Sequence, residues 1–131
     1  MANTLMPTAK KKFLDGDIDL LADTIKVALI DTGTYTFSSS HEFLSDVSGV
    51  VGTAATLASK TTTGGVFDSA DITFSSVSGN TVEAYYIYKD TGSAGTSPLI
   101  AWYDSASSGL PVTPNGGDIT ITVNASGHFA L

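Results

Sequence analysis

The sequence predicts an all-β domain: an antiparallel β-sandwich or barrel-like fold of about seven short strands with a short N-terminal helix. Three observations predict this class. The length of 131 residues is enough for one hydrophobic core. The composition, with 18 Thr, 16 Ser and 13 Gly, is typical of short strands joined by turns. Alternating apolar residues recur between turn residues, without a long helical period or an internal repeat.

One segment near the N-terminus has the pattern of a short helix. Pro7 suits the first turn of a helix, Phe13 and Leu14 follow at a helical spacing, and Gly16 would end the helix. We therefore divide the chain into residues 1–22, an N-terminal arm with a short helix, and residues 23–131, a single β domain.

Three segments carry the clearest strand patterns. In Ile25–Ile30 the apolar residues alternate, which predicts a strand with one face on the core. Leu99–Tyr103 is apolar on both faces, as a central strand is. Ile119–Val123 alternates with threonines, which predicts a strand with one face in water.

Other strands follow from weaker patterns. We expect a strand over Val50–Lys60, one around Ile72 and Phe74, and another over Thr81–Lys89. The last two flank Ser78–Asn80, which has the composition of a tight turn, so we expect them to form an antiparallel hairpin.

The charge excludes one large class of partner. Six Lys, no Arg and 13 acidic residues give a net charge of −7. Nucleic-acid binding depends on neutralising phosphates, so we expect no nucleic-acid partner. The mean hydropathy of +0.18 is high for a soluble monomer with so few charges. It suggests that some apolar surface is buried against other subunits.

The residue types and sequence patterns that the chain lacks limit its possible chemistry and partners further. The chain has no Cys, which excludes disulfides, thiolate nucleophiles and Cys-based metal sites. No apolar run reaches the roughly 18 residues of a membrane span, and the N-terminus lacks a signal-peptide pattern. We therefore expect no membrane partner and synthesis in the cytoplasm.

Catalytic and metal-binding patterns are weak. The stretch Asp15–Asp19 resembles the opening of a calcium loop, but Leu20 stands where that loop needs Gly and Lys26 where it needs Glu. His41 and His128 are the two histidines, and no nucleophile-elbow motif accompanies them. We expect His41 in a surface loop and His128 at an edge of the fold. We therefore expect no enzyme, no cofactor and no metal. A histidine hydrogen-bonded to both a Ser hydroxyl and an Asp would overturn that expectation.

Aromatic residues leave a binding function open. Tyr85, Tyr103 and Trp102 fall on two predicted neighbouring strands and could form a stacking platform for a sugar. Strand alternation places Tyr85 and Tyr86 on opposite faces, which favours a core and an interface instead. A carbohydrate-binding module stays as an alternative, and it predicts exposed, coplanar rings.

Six stretches spread over nearly the whole chain carry a resemblance to known proteins: Ala2–Leu5, Asp23–Thr32, His41–Leu44, Tyr88–Gly92, Ser97–Ala101 and Gly109–Thr120. Together they resemble a family of small virion proteins of tailed bacteriophages. The resemblance implies a non-enzymatic structural protein of the virion, first a capsid decoration (cement) protein and second a tail or head-fibre component. The implied partners are the major capsid protein and further copies of this chain, in a homotrimer or larger ring on the outer capsid surface.

The residues expected to bind that partner lie mostly before the first strand. The segment Ala2–Leu14 combines apolar and basic side chains and is too short to form its own core. We expect it to lie as an arm on a neighbouring subunit; its candidate contact residues are Leu5, Met6, Lys10, Lys11, Lys12, Phe13 and Leu14. The alternative is a short helix packed against its own domain. Leu110 and Pro111, in the loop Leu110–Pro114, are the second candidate site.

Overall fold

The structure, a computed structural model, describes residues 3–104 and 110–131; Ala2 and Gly109 of the stretches above lie outside these ranges. The described residues form one α-helix, α1 (Pro7–Asp15), and nine strands: β1 (Thr4–Leu5), β2 (Ile25–Ile30), β3 (Val50–Thr56), β4 (Val66–Phe67), β5 (Ile72–Phe74), β6 (Ala84–Lys89), β7 (Leu99–Tyr103), β8 (Ile119–Ile121) and β9 (Phe129–Ala130). Single-turn 3-10 helices cover Leu44–Asp46, Thr63–Gly65 and Ala94–Thr96. The predicted all-β class with a short N-terminal helix is confirmed.

The main sheet has five strands in the order β1-β7-β6-β2-β3, and every neighbouring pair is antiparallel. β7 is buried along its whole length, as its two apolar faces predict, and β6 is buried over Ala84–Tyr88. The sheet is open, with β1 and β3 at its edges. The strand count exceeds seven because β1, β4 and β9 have two residues each, too few for an alternating pattern.

The predicted hairpin between the third and fourth strands is wrong. β5 pairs with β8, whereas β6 pairs with β2 and β7. The physical reason is burial: β6 is apolar on both faces, as an interior strand of the main sheet is, while β5 has one face in water at Thr73. The turn residue Asn80 instead donates a hydrogen bond to the Asp31 carboxylate, 2.9 Å away.

Other strand predictions are confirmed with shifted details. The strand at Ile25–Ile30 forms with the predicted bounds, but Ala28 and Ile30 are buried as well as the alternating set, because β2 is an interior strand. The strand predicted over Val50–Lys60 ends at Thr56. In β8, Thr120 faces solvent between two buried isoleucines, as the alternation predicts.

Helix α1 packs against its own domain. Pro7 begins the helix, and Gly16, at φ 79°, ends it in the left-handed conformation that glycine adopts most readily. The Met6 amide donates to the Ile100 carbonyl oxygen of β7 at 2.8 Å, and the side chains of Met6 and Ala9 have no exposed surface. Residues 3–14 therefore do not form the expected arm on a neighbouring subunit. They form the alternative, a short helix docked on its own domain. No helix in the described ranges is long and apolar enough to cross a membrane.

Candidate functional site

Four of the predicted partner-binding residues face their own domain. Met6 is completely buried, and Leu5 lies opposite Ala101 where β1 pairs with β7. Phe13 contacts Phe129, with ring centroids 6.1 Å apart. The Lys12 ammonium pairs with the Glu42 carboxylate at 2.8 Å. Met6 therefore belongs to the core of its own domain, and its contact with a partner stays a prediction.

The other predicted residues of the helix, Lys10, Lys11 and Leu14, face outward, and Pro7, which is not a predicted contact residue, lies on the same face. Pro7, Lys10, Lys11 and Leu14 are exposed and follow the three- and four-residue spacing of one helix face. We call these four residues the helix stripe. Leu14 is 89% exposed, and Lys11 pairs with Asp15 one turn further along. The stripe thus combines an apolar side chain with positive charge on a molecule whose net charge is −7.

The second predicted site lies next to a different strand. Leu110 is half-buried against the core and Pro111 is exposed. The following residue, Val112, forms a bridge with Val82 through two backbone hydrogen bonds of 2.8 and 2.9 Å. The loop is therefore held near the start of β6, whereas β1 and α1 are held by β7.

The predicted sugar-stacking platform does not form. In the β6–β7 pair, Tyr85 lies opposite Tyr103 on one face, and Tyr86 lies opposite Trp102 on the other. Tyr85 and Tyr103 stack with centroids 4.9 Å apart, but the exposed fractions of Tyr85, Tyr103 and Trp102 are only 5%, 7% and 2%. The platform is wrong because both faces of these central strands are covered.

Beside the Tyr85–Tyr103 pair lies a cavity of about 580 Å³. Its described lining comes from the two tyrosines, Asn3 before β1, and the segment 122–130 around β9. The segment supplies Thr122, Asn124, Ser126 and His128, so the lining is rich in hydroxyl, amide and imidazole groups. No Asp, Glu or Lys is among these lining residues. We call this space the uncharged cavity.

Hydrogen bonds of its backbone and of its side chain hold His128 in the cavity wall. Its backbone amide donates to the Phe67 carbonyl oxygen at 2.7 Å, and its carbonyl oxygen accepts from the Tyr103 hydroxyl at 2.6 Å. The imidazole Nε2 lies 2.7 Å from Ser69 Oγ. Burial lowers the pKa of His128 to about 4, although the nearby Asp68 carboxylate opposes that shift. The imidazole is therefore neutral at pH 7.

The Ser69–His128 contact meets half of the condition set for an enzyme. His128 contacts a Ser hydroxyl, but within the described structure no hydrogen bond joins it to the Asp68 carboxylate. Asp68 affects the pKa of His128 only through its charge. The Ser69 hydroxyl has one hydrogen and donates it to the Ala70 carbonyl oxygen at 3.0 Å. The Ala70 carbonyl oxygen therefore competes with Nε2 for this single hydrogen, which a general base would have to accept.

The other histidine belongs to the opposite face of the main sheet. His41 Nδ1 lies 2.5 Å from the Tyr35 hydroxyl, which is itself 2.7 Å from the buried Tyr86 hydroxyl. Tyr35 and Tyr86 both pack against Trp102. This chain of hydrogen bonds satisfies the polar atoms of buried rings, which is a structural role.

Gly127 fits the cavity wall to strand β4. At φ 87° it adopts a left-handed conformation, and a Cβ there would lie 2.7 Å from Val66 Cγ1 and 2.8 Å from the Phe67 carbonyl oxygen. Gly92 has nearly the same φ, 89°, but open space around it. Substituting each glycine in turn therefore distinguishes backbone strain, which both positions share, from steric conflict, which only Gly127 has.

We expect Gly127→Ala to destabilise the protein by about 1 kcal/mol more than Gly92→Ala. Both substitutions strain the backbone, but only the first pushes β9 away from β4. Urea unfolding of the two variants measures the difference. Equal losses of unfolding free energy would mean that β4 and β9 can move apart at no cost in free energy.

Sequence reasoning missed the cavity because its lining residues are far apart in the chain. Tyr85 and Tyr103 were singled out as aromatic, and His128 as an edge residue, but nothing in the spacing joined them to Asn3. Within residues 3–104 and 110–131, no group of three His, Asp or Glu side chains is placed to hold a metal ion. No known protein-family model matches the sequence, and no curated protein matches it.

Proposed function

We propose that the protein is a non-enzymatic structural component of a bacteriophage virion, a capsid decoration protein that binds the major capsid protein on the outer head surface. The sequence resemblance to small virion proteins suggests the class. The helix stripe is the observation that carries the proposal, because it offers an ordered apolar and basic contact surface. The same surface would serve contacts between copies in a homotrimer or larger ring.

The charge of the molecule favours the outer surface of the head. A protein with a net charge of −7 would be repelled by packaged DNA inside the shell. On the outside, acidic surface aids solubility and leaves the basic helix stripe as the complementary patch for an acidic partner.

The stripe suits a docking role because it is already ordered. The inward side of α1 holds the helix on β7 through Met6 and Ala9, so binding does not have to order a free segment. Ordering a flexible arm would cost roughly 1–2 kcal/mol per residue, and a docked helix avoids that cost. Leu14 can then bury nearly its whole side chain on contact.

Stabilisation of the shell would follow from mass action. A protein that binds the expanded shell and not its precursor shifts the population towards the expanded form. Each bound copy contributes only as much free energy as its preference for that form. The activity needs no catalytic group.

The proposal predicts a specific loss of shell binding. The double variant Lys10→Ser, Leu14→Ser should bind expanded, undecorated shells at least about tenfold more weakly than the unmodified protein. Both side chains are exposed, so the fold should be unaffected. Co-sedimentation with purified shells over a range of protein concentrations measures the affinity.

Leu21→Ser is the matched control, since Leu21 is another exposed leucine, at 52%, outside the stripe. It should bind shells as the unmodified protein does. Failure of the unmodified protein to bind expanded shells would contradict the decoration role. Imaging of virions carrying the labelled protein then separates the head from the alternative tail or head-fibre location.

A further inference from the structure

We infer that the uncharged cavity binds a small, neutral, hydroxyl-rich ligand of the saccharide class. This inference is independent of the decoration role, since the cavity is lined by the β6–β7 tyrosines and the segment 122–130, and not by the helix stripe. Its volume of about 580 Å³ lies within the range of pockets that hold small molecules.

A tyrosine hydroxyl that forms no hydrogen bond with another described residue belongs to the cavity lining. Only 5% of Tyr85 is exposed. Its hydroxyl forms no hydrogen bond with another described residue. The stacked neighbour Tyr103 differs, because its hydroxyl donates to the His128 carbonyl oxygen. The Tyr85 hydroxyl is not among the fully buried atoms that lack a partner, so it is open to the cavity, where it can donate a hydrogen bond to a ligand and accept one from it.

The lining selects a neutral ligand. A buried anion would find no Lys in the described lining, and the net charge of −7 would repel it. A buried cation would find no Asp or Glu there. Burying an unpaired charge is costly, whereas hydroxyl groups can exchange hydrogen bonds with the amides, hydroxyls and imidazole that line the wall.

The lining also matches the mixed character of a sugar. Val123, Phe129 and Ala130 provide apolar surface beside the polar groups. Sugars present carbon faces between their hydroxyls, so a wall of mixed polarity can contact both. Binding would rest on hydrogen bonds and edge contacts rather than on ring stacking, because the tyrosine faces are covered by each other.

The wall is held in place without a ligand. Three contacts fix His128, to Phe67, Tyr103 and Ser69. The turn before it is closed by a hydrogen bond from the Gly127 amide to the Asn124 carbonyl oxygen at 2.8 Å. A preformed site binds without first having to order its own groups.

The test titrates the full-length, isotopically labelled protein with glucose, galactose, N-acetylglucosamine and rhamnose, each to about 10 mM, while backbone amide shifts are recorded. At least one sugar should give saturable shifts at residues 122–130. Tyr85→Phe removes one oxygen atom and should weaken that binding about tenfold. Ser126→Ala, at an exposed lining position, should weaken it severalfold and provides a second variant should the first fail to fold.

Tyr88→Phe is the matched control, because it removes the hydroxyl of a buried tyrosine on the same strand, outside the described lining. It should leave the affinity unchanged. Glucosamine and glucuronate, the charged counterparts, should bind at least tenfold more weakly than glucose. The inference is overturned if no neutral sugar shifts residues 122–130, if the charged sugars bind equally well, or if both cavity variants bind like the unmodified protein.

Discussion

Met6→Ala is expected to destabilise the protein by about 2–5 kcal/mol, the usual cost of truncating a fully buried methionine. Met6 has no exposed surface and sits between β1 and α1, with its amide bonded to Ile100. A domain of this size has roughly 5–15 kcal/mol of stability in total. The midpoint of urea unfolding should fall by about 1 M or more.

Leu14→Ala is the control for this prediction, because Leu14 lies on the same helix and is 89% exposed. Its free energy of unfolding should stay within about 0.5 kcal/mol of the unmodified protein. If both variants were as stable as the unmodified protein, residues 3–14 would not be docked on β7. The expectation of an arm on a neighbouring subunit would then return.

The strands that the sequence predicts well are those with a clear pattern of burial. Ile25–Ile30 alternates over six residues, and Leu99–Tyr103 is apolar throughout, so their existence and bounds follow from hydrophobicity. The helix follows equally well, because Pro7 and Gly16 mark its two ends. In these segments local preference and tertiary burial agree.

Pairing between strands was harder to predict, because it depends on contacts between distant parts of the chain. Ser78–Asn80 has the composition of a hairpin turn, yet Asn80 binds Asp31, and β5 pairs with a strand nearly fifty residues later. The burial of β6 on both faces overrides the local turn signal. A two-residue strand such as β9 has no pattern to detect.

The uncharged cavity could be predicted only in part. The alternation along β6 predicts that the side chains of Tyr85 and Tyr86 lie on opposite faces of the sheet, and the structure confirms this. The partners of Tyr85 could not be foreseen, because the β6–β7 register and the position of the segment 122–130 decide them. His128, expected at an edge, is half-buried because Phe67 and Tyr103 enclose its ring.

The last residues of the chain connect the two candidate surfaces. Phe129 of β9 contacts Phe13 on the inward side of α1, and the preceding residue, His128, forms the cavity wall. A change that loosens β9 should therefore affect both the seating of the helix and the shape of the cavity. Protonation of His128 is such a change.

Acidification from pH 6.5 to pH 4 is expected to cost the protein about 3 kcal/mol of stability through His128 alone. Burial lowers the pKa of His128 from 6.5 to about 4. In this window the unfolded chain binds a proton that the folded chain does not, so protonation favours unfolding. The stabilisation is complete above pH 6.5 and is lost as the pH falls through 4.

Carboxylates act in a lower pH range and can be separated from this effect. Hydrogen bonds lower the pKa values of Asp31 and Asp46, with the Thr34 hydroxyl and the Glu42 amide as the largest causes. Their stabilising effect is present above the unfolded Asp pKa, near 4, and disappears below it. The decline between pH 6.5 and 5 therefore reports on His128.

His128→Gln isolates the histidine, because a Gln amide can still donate to Ser69 but does not titrate. Unfolding free energies should be measured by urea titration at several pH values between 7 and 4 for both proteins. The unmodified protein should lose stability steadily below pH 6.5, and the variant should stay level down to about pH 5. Parallel curves for the two proteins would mean that His128 is accessible to protons in the folded state, and that acid does not act through the cavity wall.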